Sequence, residues 1–283
     1  AANYSLPPSA NGTGAITQLA SVAWTGGTSG DWSNAANWAG SALPDNDNVA
    51  AVIIPVASSV RITGNQALNL GNTAIEVFGS NFELDVIGGI KSGSGKIRAL
   101  AGNISLSAHS PIEIGSGGIE ASGGITLSAL TPSVDSTITL NGALVAGGAV
   151  SLEAYGAIAQ NAAIQGQHIA LTSTGGSIVV ANGAVSSVPT GGSINYSATS
   201  GSITSSSGNF AGAVPLLNES ASTSTTTSTT SINDITTSIT QTTEALADDK
   251  VKAPETPPPA PMESTGDKIM LASISQTTGG ETG

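Results

Sequence analysis

The chain has 283 residues, of which only 9% are charged and 3% aromatic, with 36 glycines and no cysteine. A compact enzyme of this length ordinarily carries more charge and more aromatic residues. A net charge of −12, with seven cations in no basic stripe, argues against nucleic acid and anionic membranes as partners. The missing cysteine removes disulfides, thiolate metal sites and a thiol nucleophile. No apolar run approaches the roughly 20 residues that cross a bilayer as a helix.

In chain order, residues 1–18 read as the end of something that came before. Ala2-Asn3-Tyr4-Ser5-Leu6 is a short strand stopped by Pro7 and Pro8, which cannot donate to a sheet. The first residue is Ala rather than Met, which suggests a processed product or an excerpt. Residues 19–56 hold all three tryptophans, Trp24, Trp32 and Trp38, amid Gly, Asp, Asn and Ser. A turn, Leu43-Pro44-Asp45-Asn46-Asp47-Asn48, then leads into an apolar strand over 49–56.

Residues 57–214 repeat themselves. The anchors Ile104, Ile125, Val150, Ile169 and Ile194 follow one another at 21, 25, 19 and 25 residues, and all but Ile169, which Ala170 follows, begin an apolar-polar-apolar triplet. That triplet has the period of a strand buried on one face. Further short runs lie between the anchors, such as Ile112-Glu113-Ile114, Ile138-Thr139-Leu140 and Ile178-Val179-Val180, punctuated by glycine pairs. Residues 57–100 follow the same idiom less regularly. Three short strands and three turns per unit describe one coil of a solenoid whose strands stack on their counterparts about 4.8 Å away. The expected fold is therefore all-β: a right-handed parallel β-helix (β-solenoid), with a β-sandwich as the alternative. From 215 to 283 the texture changes. Eleven of the twelve residues from Ser220 to Ser231 are Ser or Thr, and a proline-rich spacer follows. A disordered tail is expected there, because too little apolar surface is present to offset the entropy of ordering.

The W-x-G-G, G-D-W-S, N-W and L-P-x elements of residues 24–45, followed by the Gly-Gly-Ile-x-Leu-x-Ala texture, resemble large bacterial exoproteins: the filamentous-haemagglutinin-type, two-partner-secreted adhesins and related autotransporter passengers. Residues 1–18 are similar to the last strand of the small Ig-like repeats found in such proteins. The resemblance covers about residues 1–214 and points to the C-terminal region of an exoprotein. It implies secretion to the outer surface of a bacterium through an outer-membrane two-partner transporter. It further implies a shaft that presents surfaces to a host or bacterial glycan or protein, or to a matrix polysaccharide. A structural extracellular filament is the alternative function, and a β-helical polysaccharide-active enzyme the third.

Candidate sites are few. Trp24, Trp32 and Trp38 would either stack on sugar rings or cap the open end of the solenoid; the cap is preferred, because solenoid ends need covering. Asp45 and Asp47 alternate like calcium ligands but lack the remainder of a calcium loop, so an ordinary turn is preferred. His109 and His168 stand alone. Glu113, Glu120, Asp135 and Glu153 do not recur at one place in the repeat, so no catalytic ladder is expected, and no cofactor is implied.

Overall fold

A computed structural model describes residues 18–44, 48–55 and 58–219. The glycine- and serine-rich sequence leaves no room for helices, and among these residues only three short 3₁₀ turns occur. Everything else regular is strand, arranged in three parallel sheets of nine, nine and seven strands. The two strands of coil 1 pair with strands two places later, and every later pairing joins strands three places apart, as one coil laid on the next requires. The protein is a parallel β-solenoid. Coil 1 spans residues 22–44, coil 2 51–71, coil 3 74–92, coil 4 97–114, coil 5 119–140, coil 6 144–160, coil 7 164–180, coil 8 186–204 and coil 9 210–219. The seven strands of the third sheet make coils 2 to 8 complete, and coils 1 and 9 partial.

The second sheet sets the register. Val60, Phe82, Ile104, Ile125, Val150, Ile169 and Ile194 stand directly above one another. Two residues on, Ile62, Leu84, Leu106, Leu127, Leu152, Leu171 and Tyr196 form a second inward stack. All of these are buried, and they form one cluster with the apolar residues of the other two sheets. The repeat anchors expected from the sequence thus share one ladder, and Ile112, Ile138 and Ile178 belong to the third sheet. Stacking residues of like shape buries each side chain against its own kind, which suits Ile, Val and Leu on pleated strands.

The sheets extend beyond the expected solenoid limits in both directions. Val22–Ala23, Ser29–Asp31 and Ala51–Ile54 belong to them, and so does Leu216–Glu219. Unequal repeat lengths come from the corners. Between the second and third sheets coil 4 turns in three residues (109–111), whereas coil 5 uses eight (130–137). This insertion accounts for the long interval from Ile125 to Val150. Of the expected tail, 215–283, the first residues differ from expectation, since Leu216–Glu219 is a strand of the second sheet; residues 220–283 and residues 1–17 lie outside the described residues.

Candidate functional site

The tryptophan segment is a self-contained plug. Coil 1 has no third-sheet strand; at that place in the order the chain makes two 3₁₀ turns, Ala35–Asn37 and Ala39–Ser41. The Asn34 side chain caps the first by accepting from the Ala36 N–H. Trp24, Trp32 and Trp38 are 1%, 4% and 2% exposed, so no indole face is open to solvent. Trp38 stands edge-on to both of the others, at 4.9 Å from Trp24 and 4.8 Å from Trp32 between ring centres, the preferred arrangement of aromatic quadrupoles.

Each indole N–H donates to a carbonyl: Trp24 to Gly27 at 2.8 Å, Trp32 to Pro44 at 3.1 Å and Trp38 to Trp32 at 2.7 Å. The glycines of the motif make room. A Cβ on Gly26 would lie 2.5 Å from the Trp24 ring, and one on Gly30 2.7 Å from the Asn37 amide. Gly30 stands above Ile62 on an inward ladder, so the plug fills the rung that lacks a side chain. Asp31 accepts from the Ser33 N–H and hydroxyl, and Asn37 donates to the Asp31 carbonyl. Backbone bonds from Trp24 to Ile53 and from Trp32 to Thr63 lock the plug onto coil 2. Asp45 and Asp47 lie outside the described residues; among those described, no group of three His, Asp or Glu is placed to hold a metal.

The outer surface carries the second feature. All four cations among the described residues lie between positions 61 and 98, and each reaches a carboxylate one coil away. Arg61 Nε is 3.2 Å from Glu83 and its Nη2 3.0 Å from Asp85. Lys91 meets Glu113 at 2.9 Å, while Lys96 and Arg98 share Glu120 at 3.0 and 3.2 Å. The hydrogen bond from Lys96 holds Glu120 below the usual carboxylate range; desolvation opposes it, and the charges of Arg98 and Lys96 add to the lowering. Arg61 and Glu83, Lys91 and Glu113, and Arg98 and Glu120 are direct cross-strand neighbours. Four carboxylates fall in different places: Glu113 on the third sheet, Glu120 on the first, Glu153 on the second and Asp135 in the coil 5 insertion. Both histidines are exposed, His168 with Nδ1 3.0 Å from the Ser193 hydroxyl.

Sequence reasoning missed these ion pairs, although a signal existed: opposite charges recur 22 residues apart, one coil length. It also missed the groove they border. On the outer face of the second sheet, a hollow of about 600 Å³ runs from Arg61 past Glu83, Asp85 and His109 to a wall formed by Leu130 and Pro132. A smaller cleft, about 120 Å³, lies between Trp32, Pro44 and Leu68.

A third polar feature is internal. Gln160, Ser186 and Tyr196 are fully buried, with the Tyr196 hydroxyl 2.6 Å from Gln160 Oε1 and 2.5 Å from the Ser186 hydroxyl. Burial pushes the Tyr196 phenol up to about 12, and its hydrogen bonds to Ser186 and Gln160 only partly offset this.

No family model, curated protein or solved structure matches this chain. Its fold class, a parallel β-solenoid, is one on which β-helical exoproteins are built.

Proposed function

We propose that this chain is the shaft of a secreted, adhesin-like bacterial exoprotein, a non-catalytic rod that holds binding surfaces away from the cell. The observation that carries the reading is the continuous parallel stack from coil 1 to coil 9, plugged at its first coil by Trp24, Trp32 and Trp38. Such a stack is stiff along its axis and grows in length with every repeat. The resemblance of the tryptophan motif and the Gly-Gly-Ile-x-Leu-x-Ala coils to filamentous-haemagglutinin-type exoproteins supports export through an outer-membrane two-partner transporter and a place on the bacterial surface. A cysteine-free chain suits that route, since it reaches the transporter without disulfide-closed loops. The outward carboxylates Glu83, Asp85, Glu113 and Glu120 are each tied to a cation of a neighbouring coil, an arrangement suited to holding coils together. The partner is a host or bacterial surface glycan or protein, or a matrix polysaccharide.

The test is localisation and adhesion. Antibody against residues 58–219 should label intact cells of the producing bacterium, and mild external protease should remove the signal. Beads coated with the purified chain should adhere to host cells or biofilm matrix. Signal confined to the cytosol, or beads that adhere nowhere, would overturn the reading. A structural extracellular filament is the second reading, favoured by the apolar Val214, Leu216 and Leu217 at the last coil, which are 92%, 58% and 42% exposed. Concentration-dependent fibres of the purified chain would select it.

A further inference from the structure

The groove on the outer face of the second sheet has the makings of a ligand site. Its volume, about 600 Å³, lies in the range of small-molecule pockets. Its polar end is pre-organised: Arg61 holds Glu83 and Asp85 through its Nε and Nη2 atoms, using one oxygen of each carboxylate. A guanidinium and two carboxylates fixed in this way offer planar, charge-assisted donors and acceptors, which match neighbouring hydroxyls on a ring. The hydroxyls of Ser107 and Ser128 lie on the groove floor, on the ladder that follows Asp85.

The other end is apolar. Leu130 is 49% exposed and belongs to the coil 5 insertion, which exists at this corner and not in the neighbouring coils. The insertion is braced by its own backbone bonds, Ser133 to Thr131 and Ser136 to Ser133, and by Gly156 donating to Ser136. A polar grip facing an apolar wall suits a sugar ring, which has hydroxyls at its rim and C–H groups on its faces.

Other occupants fit less well. Asp31, Glu83, Asp85 and Glu153 all stand on outward ladders of this sheet against Arg61 alone, so polyanions are repelled. Each floor strand is paired on both sides, so a peptide finds no free edge to extend.

We propose that this groove binds a neutral hexose unit of an extracellular polysaccharide, gripped by Arg61, Glu83 and Asp85 against the Leu130–Pro132 wall. The proposal rests on the reading of the chain as a surface-presenting shaft and supplies that shaft with a ligand class.

The test titrates the full chain with gluco-, manno- and galacto-hexasaccharides, with hexagalacturonate and with a neutral nonapeptide, following backbone amide shifts. At least one neutral hexasaccharide should move the amides of Ser107, His109 and Leu130, with Kd on the order of 0.1–1 mM, as for a weak single-unit contact. Glu83→Gln and Arg61→Ala should each weaken it at least tenfold, while Thr139→Ala on the third sheet leaves it unchanged. All three sites face outward, so unchanged far-ultraviolet circular dichroism verifies that the variants fold. The proposal is overturned if no neutral sugar moves these amides, if the groove variants bind as well as the parent, or if the uronate or the peptide binds more tightly. Adhesion of coated beads that survives Glu83→Gln would sink the groove and leave the shaft standing. Sugar binding in the groove by beads that adhere to nothing would do the reverse.

Discussion

The two ends of the solenoid solve one problem differently. Both must terminate a column of inward side chains that begins at Gly30 and passes through Ile62, Leu84, Leu106, Leu127, Leu152 and Leu171 to Tyr196 and Leu217. At the first coil the rung is a glycine, and an indole from the same coil fills the space. At the last coil the rung is Leu217, 42% exposed. A second contrast follows the same axis. Coils 2 to 5 carry ion pairs one coil apart on the outside, whereas coils 6 to 9 carry the buried side-chain network of Gln160, Ser186 and Tyr196, with the buried Asn209. Inside the earlier coils Thr73 and Ser92 bond only to backbone. Asn209 donates to the Ala181 and Ala184 carbonyls of coil 7 and its corner. Apolar ladders alone hardly distinguish one coil from the next, because Ile on Ile is the same contact everywhere. Polar markers that match only in the right order specify the register, a use for which such groups are best attested.

That contrast can be broken, beginning with its shared element. Ile125→Asp places an unpaired charge in the column and should cost about 5 kcal/mol or more by denaturant titration, whereas Thr126→Asp next to it, facing out, should change stability by less than about 0.5 kcal/mol. Equal effects would mean the register is wrong. Removal of the plug comes next. Trp38→Ala takes away the ring that touches both other tryptophans and should cost about 3–5 kcal/mol, with faster amide exchange appearing first in coils 1 to 3. Unchanged exchange in those coils would deny the plug its role.

The interior marker sharpens the comparison through pH. Tyr196 has its folded value raised to about 12 from an ordinary 10.0, so its contribution is complete below pH 10 and is lost as pH climbs toward 12. Tyr196→Phe should cost about 1–3 kcal/mol at neutral pH, since Gln160 and Ser186 lose a buried partner, and it should flatten the alkaline loss of stability. An unaltered alkaline limb would assign that loss to other groups. The exterior marker has the smallest effect. Glu120 is held below its ordinary value, so its stabilisation is present above about pH 4.5 and fades as pH falls through the lowered folded value. With the Arg98 side chain 48% and the Glu120 side chain 35% exposed, Arg98→Ala should cost only a few tenths of a kcal/mol, vanishing in 1 M salt.

Much of this architecture could be read in the sequence. Glycine pairs before Ile-x-Leu announced the second sheet, because five- and six-residue strands such as Ile125–Ala129 are long enough to show alternation. First-sheet strands such as Ile164–Gln165 and Ser186–Ser187 have two residues and display no period at all. The tryptophan cluster stood out by composition, yet nothing in its spacing showed that Gly26 and Gly30 clear space for Trp24. The groove was hidden because it joins Arg61 to Leu130, residues of coils 2 and 5, and its wall is an insertion that looked like a lengthened repeat.

One consequence follows from where the markers are absent. Between Ala121 and Ile158 the described residues carry neither ion pairs nor a buried side-chain network; the Ile–Leu–Ala column runs on there, with the coil 5 insertion beside it. This stretch has the fewest order-specific contacts for an added coil to disturb. Because Ile125 already stacks on Val150 as the next rung, duplicating residues 125–149 in frame would add one coil whose second-sheet ladder continues in register, with a second copy of the corner insertion outside it, lengthening the rod by about 4.8 Å. Gene duplication can set the reach of such a molecule one rung at a time, with both ends left as they are.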